Sequence, residues 1–472
     1  MDDHSGAAQL LAHEARAMRT RLARVRPFAL HEPMVPAAAI SPGAQVAIEE
    51  FLADGRRELR SRIERYLEWL REHPHVTPAE AQRRFTLLRM RFNDVLSQFD
   101  TFADVLTQRS EHDTGVWLSG LDVVAADALR LSGSFYDPPP VICYLDRGHG
   151  AAIRRARTRL AGGDNPVAIV RVPRERMVGS GIASSLVHEV GHQGSALLDL
   201  VPSLRPALQA RQEGSDALAW QLWERWISEI VADLWSVAKV GITSTLGLMG
   251  VVSLPRPFVF RVSLDDPHPI PWIRVKLSCA MGDALYPHPQ WRRLSAIWEQ
   301  LYPQTDLPEQ RRTLLAALQA TMPDFVALLI HHRPAALRGT ALVEALATDD
   351  RQPERLAEEY AAWQASPTRM RRTAPALGFA VLGQARADGR LSPEGEGRTL
   401  VYLLSYWALR STLDTAARLQ ALPMIAEQPA VPRDPDVGPP GGGREPWLIE
   451  RAASGEATHT GGSYGRYETR TI

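Results

Sequence analysis

Over residues 185–193 the chain reads Ser-Leu-Val-His-Glu-Val-Gly-His-Gln, and this short stretch organises the interpretation of the whole sequence. On a helix, residues four apart lie on the same face, one turn above each other. His188 and His192 can therefore direct two imidazole nitrogens at one point, where a zinc ion would bind. Glu189 lies one step around the same turn, where it can hold a water molecule rather than the ion.

The residues around this motif favour a helix. Ile182, Leu186 and Val190 recur every four residues and form an apolar stripe. Glycine inside a helix costs roughly 1 kcal/mol, so we expect a neighbouring backbone to pack closely against Gly191 and offset that cost. The alternative is coincidence, with two of the chain's 14 histidines lying on a solvated helix face.

Length and composition limit the classes of function. A chain of 472 residues has room for roughly three domains of about 150 residues, and 45% hydrophobic residues allow a sizeable core. Lys plus Arg and Asp plus Glu each number 54, so the chain has no general electrostatic attraction to nucleic acid or to anionic lipid. We therefore expect no nucleic-acid partner, while the His-Glu-x-x-His motif predicts a peptide or protein substrate.

The cysteines and the apolar segments indicate a cytoplasmic protein. Cys143 and Cys279 show neither a disulfide framework nor metal-ligand spacing, which suits a reducing compartment. The first thirty residues carry no long apolar run of the kind found in a secretory signal. The longest uncharged apolar stretch, residues 240–254, is shorter than a membrane span, so we expect a buried helix and no membrane span.

Patterning along the chain predicts a mainly α-helical fold with a small β-sheet, an α+β class. The periodic segment 44–73 and the helix start at Thr77-Pro78 belong to an N-terminal helical region. The Gly/Pro-rich tail buries too little apolar surface to order itself, and an apolar patch at residues 447–449 is the place where it could instead dock on the body of the protein. The predicted regions are an N-terminal helical region at 1–135, a core at 136–302, a C-terminal helical region at 303–428 and a disordered tail at 429–472.

The core is expected to contain two strands and a long helix. Branched residues predict strands at 141–145 and 167–172, with a helix between them around 151–160. Pro173 ends the second strand, so we expect that strand to be an edge strand that lines the cleft and pairs with an extended peptide. A long helix is predicted over 216–238, followed by a mixed, proline-rich segment at 253–302.

A third zinc ligand is needed, and the long helix supplies a candidate. Glu229 and Asp233 are four residues apart on one face, within an apolar, tryptophan-rich run. Glu229 can bind zinc while Asp233 accepts the second N–H of a histidine ligand. The alternatives are that both acids face water, or that Glu224 on another face is the ligand.

The two motifs together resemble the gluzincin zinc metallopeptidases, in which His-Glu-x-x-His precedes a Glu-x-x-x-Asp on a second helix. This resemblance implies that His188, His192 and Glu229 hold zinc. It also implies that Glu189 activates water as the general base and that Asp233 orients the first histidine.

A further segment is similar to the CAAX-prenyl-protease and heat-shock-protease family. His268-Pro is followed by four residues and then Arg274, in the same chain order as in that family. The resemblance covers about residues 165–280, and the chain departs from this membrane-bound family by lacking its transmembrane helices. It implies that His268 and Arg274 lie near the active site, where they stabilise an oxyanion or position substrate; the alternative for His268 is a turn in a proline-rich loop.

We therefore expect a zinc metallopeptidase that uses Glu189 as its general base. One alternative is a peptidase-fold scaffold or binding module that keeps zinc without turnover, and another is a helical interaction protein in which the motif is accidental. A protein partner could bind through the helical flanks or the tail. The remaining candidates, which we expect to have structural rather than chemical roles, are Tyr286, His288, His331, His332 and His149.

Overall fold

The computed structural model describes residues 3–146, 151–160, 163–173, 181–263 and 266–421. Over these residues the fold is mainly α-helical with a small mixed β-sheet, which confirms the predicted fold class. His149 and the tail at 429–472, with its apolar patch, lie outside the described residues.

The strands are β1 (Val141–Asp146), β2 (Ala152–Arg154), β3 (Arg159–Leu160), β4 (Gly163–Asp164) and β5 (Ala168–Pro173). The helices before and around the candidate site are α1 (Asp3–Arg24), α2 (Pro42–Glu72), α3 (Pro78–Thr107), α4 (His112–Leu129), α5 (Gly181–Leu197), α6 (Leu200–Gln209), α7 (Ala217–Arg225), α8 (Ile227–Val240), α9 (Ile242–Val252), α10 (Arg256–Val259) and α11 (Pro271–Leu285). The later helices are α12 (Pro289–Leu301), α13 (Glu309–Ile330), α14 (Leu342–Leu346), α15 (Pro353–Ala365), α16 (Pro367–Arg372), α17 (Pro375–Ala387) and α18 (Pro393–Ala421).

Helices α1, α2 and α3 pack together around an N-terminal cluster of buried residues that includes Ile48, Phe51 and Phe92. The predicted start of α3 is confirmed, because the Thr77 hydroxyl accepts a hydrogen bond from the backbone N–H of Glu80. A side-chain oxygen at this position satisfies one of the free N–H groups of the first helical turn. The caps thus set where these long helices begin.

The sheet has the strand order β1-β5-β2, so β5 is its central strand and the prediction of an edge strand at 167–172 is wrong. β1 runs parallel to β5 and β2 runs antiparallel to it. Ile169 packs into the N-terminal cluster, whereas Val170 belongs to the main core on the opposite face. A strand covered on both faces has a continuous apolar run, and residues 167–170 form such a run before Arg171.

The helix predicted around 151–160 is also wrong, because this segment forms β2, a turn and β3. Arg157 has a φ of 59°, in the left-handed region that turns the chain. Its N–H donates to the carbonyl of Asn165, and the Asn165 N–H donates back to Thr158. The buried Asn165 side chain also donates to the carbonyl of Arg155. These partners, distant in sequence, outweigh the local helix preference of the alanines and arginines.

A buried ion pair anchors β1 to the helices. Arg109 is fully buried and makes two contacts with the Asp122 carboxylate, at 2.9 and 3.1 Å. Arg109 also donates to the carbonyl of Cys143, and Asp122 accepts the N–H of the same residue. Because each charge keeps several hydrogen-bonded partners, the cost of burying it is offset.

Two glycines allow α5 and α8 to touch. A Cβ atom at Gly191 would lie 2.9 Å from the Cα and carbonyl oxygen of Ala232, and one at Gly194 would lie 2.4 Å from the Trp235 ring. The close backbone approach predicted at Gly191 is thereby confirmed. Since the candidate ligands are divided between these two helices, their separation sets the geometry of the site.

The remaining helices differ from expectation in three places. The helix predicted over 216–238 is interrupted at Trp226, which separates α7 from α8. The segment 253–302, expected to be mixed, is largely helical in α11 and α12, each of which starts with a proline that suits a first helical turn. α13 continues through Pro323, although proline usually kinks or ends a helix. Among the described helices, α13 alone has the length and apolar character of a membrane span, and 44% of its apolar window is buried in the fold.

Candidate metal centre

The predicted site residues come together from three places in the fold. α5 carries the His-Glu-x-x-His residues and α8 carries the two acids. The loop before α11 carries a histidine, and α11 itself carries an arginine. The residues are His188, Glu189 and His192 on α5, Glu229 and Asp233 on α8, and His268 and Arg274 from the loop and α11.

Three of these side chains could hold one ion. His188 Nε2 lies 3.2 Å from Glu229 Oε2, and His192 Nε2 lies 3.5 Å from Glu229 Oε1. One ligand atom from each residue lies within 4.8 Å of the other two. The spacing of four residues on α5 places both rings on one face, with centroids 4.8 Å apart and planes at 84°.

Asp233 stands behind the first histidine. Its Oδ1 lies 2.8 Å from His188 Nδ1, although the N–H direction is not aligned with that oxygen as in a good hydrogen bond. Asp233 is held in turn by Arg274, whose Nε lies 2.7 Å from Oδ2 and whose Nη2 lies 2.8 Å from Oδ1. The contact with Asp233 leaves His188 Nε2 as the ring atom directed toward Glu229.

The pKa values of the site residues reflect the pairing of the histidines and Arg274 with the two acids. Burial would lower the pKa of His188, but the charge of Asp233 and its contact with Glu229 raise that pKa to about 9. Burial also opposes ionisation of Glu229 and Asp233, yet the neighbouring histidines and Arg274 hold both pKa values well below the usual range. These two carboxylates are therefore ionised over the whole neutral range.

Glu189 behaves differently from the other acids. Its side chain is buried beside both histidines, and this burial raises its pKa above the ordinary value for glutamate. The charges of His188 and His192 offset only part of that effect. A carboxyl group with a raised pKa is suited to take up a proton and release it again.

The charge and donor types fit a divalent cation. When Glu189, Glu229 and Asp233 are ionised, three carboxylates against the guanidinium of Arg274 and the charged ring of His188 leave a formal charge of −1. Glu229 Oε2 is buried and has no aligned hydrogen-bond donor among the described residues. Two imidazole nitrogens and one carboxylate are donors that divalent transition metals accept, zinc among them, so these residues could hold such an ion.

His268 approaches the same carboxylate from the solvent side. Its Nε2 lies 3.3 Å from Glu229 Oε2, and 48% of its side chain is exposed. Asp266 Oδ1 accepts hydrogen bonds from the ring Nδ1 of His268 at 2.8 Å and from its backbone N–H at 3.0 Å. Sequence analysis missed Asp266; the signal was an acid two residues before a histidine, a spacing that is usual in turns.

An open cleft of about 350 Å3 lies over these groups. Its lining includes the two α5 histidines, Glu189, Glu229 and His268. It also includes Ala152 and Ile153 of β2, an edge strand of the sheet. The strand beside the site is therefore β2, which the sequence analysis did not identify, and not the segment 167–172.

The other sequence candidates contact groups elsewhere. Glu224 accepts hydrogen bonds from two glutamine side chains of the α6–α7 connection. The Tyr286 hydroxyl donates to a backbone carbonyl, and His288 accepts the Gln290 N–H at the start of α12. His332 Nε2 lies 2.9 Å from a serine hydroxyl. His331 follows the last residue of α13, and its N–H donates to carbonyls of that helix. These contacts agree with the structural roles expected for the tyrosine and the histidines.

Comparison of the chain with protein families, with curated proteins and with solved structures found no match. The resemblance to the gluzincin peptidases and to the CAAX-prenyl-protease family therefore rests on the motif residues alone. The chemistry of the residues that line this cleft is therefore the basis on which a function can be inferred.

Proposed function

We propose that this chain is a zinc-dependent metallopeptidase. The observation that carries the proposal is the convergence of His188, His192 and Glu229, with one ligand atom of each within 4.8 Å of the others, at the base of an open cleft. A buried Glu189 lies beside these ligands, where a general base for hydrolysis is required. A site that only stored an ion would need no such residue.

His188, His192 and Glu229 are the residues that would hold the ion. Zinc bound there would supply Lewis acidity, which polarises a carbonyl group and makes water a stronger acid. Three protein ligands are the number usual for catalytic rather than structural zinc sites, in which a further position would stay open to water or substrate.

Glu189 is assigned the proton transfers. Its carboxylate accepts a proton from the attacking water and then delivers that proton to the nitrogen of the departing amine. Burial raises the pKa of Glu189, which makes its carboxylate a stronger acceptor for the proton of the attacking water.

Asp233 and Arg274 are assigned supporting roles. Asp233 approaches the Nδ1 side of His188, so that Nε2 is left for the ion. Arg274 is buried, does not line the cleft and is bound at two points to Asp233, which favours a role in holding Asp233 over direct contact with an oxyanion.

His268 is assigned the stabilisation of negative charge on substrate oxygen. His268 lines the cleft, whereas Arg274 does not, and the Nε2 atom of His268 lies beside the candidate ligand Glu229. Because Nδ1–H is bonded to Asp266, only the doubly protonated ring has an Nε2–H to donate; such a donor, facing the oxygen on which charge develops, can contribute about 3 kcal/mol to catalysis.

The edge strand β2 is assigned the binding of substrate backbone. A peptide must be extended for one carbonyl to reach the reacting groups, and an edge strand offers backbone groups for such pairing. Ala152 and Ile153 place β2 in the cleft. Substrates with N-methylated amides next to the cleaved bond should therefore show a raised KM relative to the unmethylated peptides, whereas equal KM values would remove β2 from the proposal.

The test is hydrolysis of a broad peptide library by the zinc-loaded protein, read by mass spectrometry. The wild type should cleave peptides, and Glu189→Gln should keep one zinc per chain while kcat falls by roughly 10³-fold. Zinc binding without any cleavage by the wild type would instead support a binding module that retains the ion. Equal turnover by Glu189→Gln would overturn the role given to Glu189.

A further inference from the structure

We propose that Asp266 is a positioning residue, which fixes the imidazole of His268 so that Nε2 faces the candidate metal-binding carboxylate of Glu229. This inference rests on the proposed function for its effect on turnover. The pairing of Asp266 with His268 can be measured whether or not the protein hydrolyses peptides.

A single oxygen of Asp266 holds both the backbone and the ring of His268. Oδ1 accepts the backbone N–H at 3.0 Å and the ring Nδ1 at 2.8 Å, and both contacts are aligned as hydrogen bonds. A carboxylate only accepts, so the proton of the ring contact must be on Nδ1. Nε2 is consequently the atom left to face the cleft.

The backbone around His268 is restricted from both sides. Pro267 and Pro269 flank the histidine, and each proline disfavours helical geometry for the residue before it. Both Asp266 and His268 precede a proline. With the backbone confined, the two side-chain torsions of His268 remain free, and the bond to Asp266 Oδ1 fixes the plane of the ring.

The direction set by Asp266 points at the site. His268 Nε2 lies 3.3 Å from Glu229 Oε2, and His188 Nε2 lies 3.2 Å from the same oxygen. In both rings Nε2 therefore faces Oε2 of Glu229. An aspartate oxygen lies 2.8 Å from Nδ1 in each case, from Asp233 for His188 and from Asp266 for His268. Both histidines line the cleft, but only 13% of the side chain of His188, a predicted ligand, is exposed, compared with 48% for His268.

Asp266 is suited to act as an ionised acceptor. Its partial burial would raise its pKa, but the hydrogen bonds from His268 and the charge of Arg261 lower the pKa below the usual value for aspartate. The carboxylate is thus ionised at neutral pH and its interaction with the ring N–H is charge-assisted.

A purely structural role for Asp266, as a turn-forming residue, makes a different prediction. The loop would then loosen when Asp266 is removed, and turnover would fall by the same factor with or without His268. A positioning role requires the effect of Asp266 to disappear once His268 is absent. A double-mutant cycle separates the two roles.

The kinetic test compares wild type, Asp266→Ala, His268→Ala and the double variant on one peptide substrate. Asp266→Ala should lower kcat by about 10–100-fold with KM changed less than about twofold, and the double variant should be no slower than His268→Ala. Asp266→Asn keeps an acceptor oxygen and should recover most of the loss. Asp306→Asn removes an exposed carboxylate between α12 and α13 and should have no effect. Independent, multiplying effects of the two single variants would overturn the proposal.

A second readout does not depend on catalysis. In zinc-loaded protein labelled with ¹⁵N-histidine, the signals of His268 are identified by their loss in His268→Ala, and they should show the proton on Nδ1. Asp266→Ala should lower the proton occupancy of Nδ1, while Asp306→Asn should leave it unchanged. An unchanged His268 spectrum in Asp266→Ala would overturn the pairing. If the wild type hydrolyses no peptide, the proposed function fails while this spectrum still decides whether Asp266 positions His268.

Discussion

Arg274 and Asp233 form a two-point ion pair inside the protein, with Nε 2.7 Å from Oδ2 and Nη2 2.8 Å from Oδ1. Burial would lower the pKa of Arg274, but the carboxylate of Asp233 more than offsets this and raises it. Asp233 in turn approaches His188, so the ion pair links α11 to the candidate ligands. The site is therefore supported from the interior of the protein and opens on the cleft side.

Removal of Arg274 should be strongly destabilising, because it leaves the charge of Asp233 buried without its main partner. We expect Arg274→Ala to lower the free energy of unfolding by roughly 3 kcal/mol, measured by urea denaturation. Arg312→Ala removes an exposed ion pair with Glu309 on α13 and should change it by less than about 1 kcal/mol. Similar losses in the free energy of unfolding for the two variants would show that the buried ion pair stabilises the protein no more than the exposed one.

Asp233→Asn should weaken zinc binding without removing the site. The amide can still accept from His188 Nδ1, but it loses the charge that stabilises the ring and that pairs with Arg274. We expect the zinc affinity, measured by competition with a chelator, to fall by about 10–100-fold. Circular dichroism would check that the fold is kept. An affinity equal to that of the wild type would exclude Asp233 as the residue that orients His188.

Gly191→Ala should separate the two ligand-bearing helices. The added methyl group would meet the backbone of Ala232 at 2.9 Å, and backbone atoms cannot move aside as a flexible side chain can. We expect a loss of roughly 2 kcal/mol in the free energy of unfolding, together with weaker zinc binding. Gly250→Ala on α9 is the matched control, because its methyl group would meet nothing within 4 Å. The control should be neutral or slightly stabilising.

Zinc uptake should release a proton from His188. In the ion-free protein the pKa of His188 is raised to about 9, so the ring is charged at pH 7.5, whereas a zinc ligand must be neutral. Calorimetric titrations in buffers of different ionisation enthalpy should show release of about one proton per zinc. The apparent affinity should rise from pH 7.5 toward pH 9. Binding without proton release would contradict the raised pKa.

The raised pKa of His188 also determines how the stability of the protein without bound zinc depends on pH. The folded pKa of His188, about 9, lies above the ordinary value of 6.5. The stabilising contribution of His188 is therefore fully present below pH 6.5 and is lost as the pH rises through 9. Urea denaturation in the presence of a chelator would check this direction.

The candidate site could be assembled from the sequence because its signals are local. Four-residue spacing fixes the relation of His188 to His192 and of Glu229 to Asp233, whatever the rest of the fold does. The apolar run around Glu229 also indicated a buried acid, and Glu229 is buried in the structure. The four-residue spacing could not predict that α5 packs on α8, although Gly191 indicated a close contact with some neighbouring backbone.

The errors arose where long-range partners decide the structure. The segment 151–160 has helix-forming residues, but hydrogen bonds to Asn165 and to the buried Gln193 side chain direct it into a strand and a turn. The segment 167–172 was assigned to an edge because of Pro173, although the continuous apolar run at residues 167–170 is typical of a strand covered on both faces. The link from Arg109 to Cys143 has no local pattern at all.

The most direct measurement is the zinc content of the purified protein after loading and dialysis, determined by elemental analysis. The wild type should hold one zinc per chain, and His188→Ala, His192→Ala and Glu229→Ala should each lose most of it while remaining folded. His332→Ala removes a histidine that contacts a serine hydroxyl, so this variant should keep the full zinc content. A wild type that holds no zinc, or ligand variants that hold as much as His332→Ala, would contradict the metal site on which the proposed function depends.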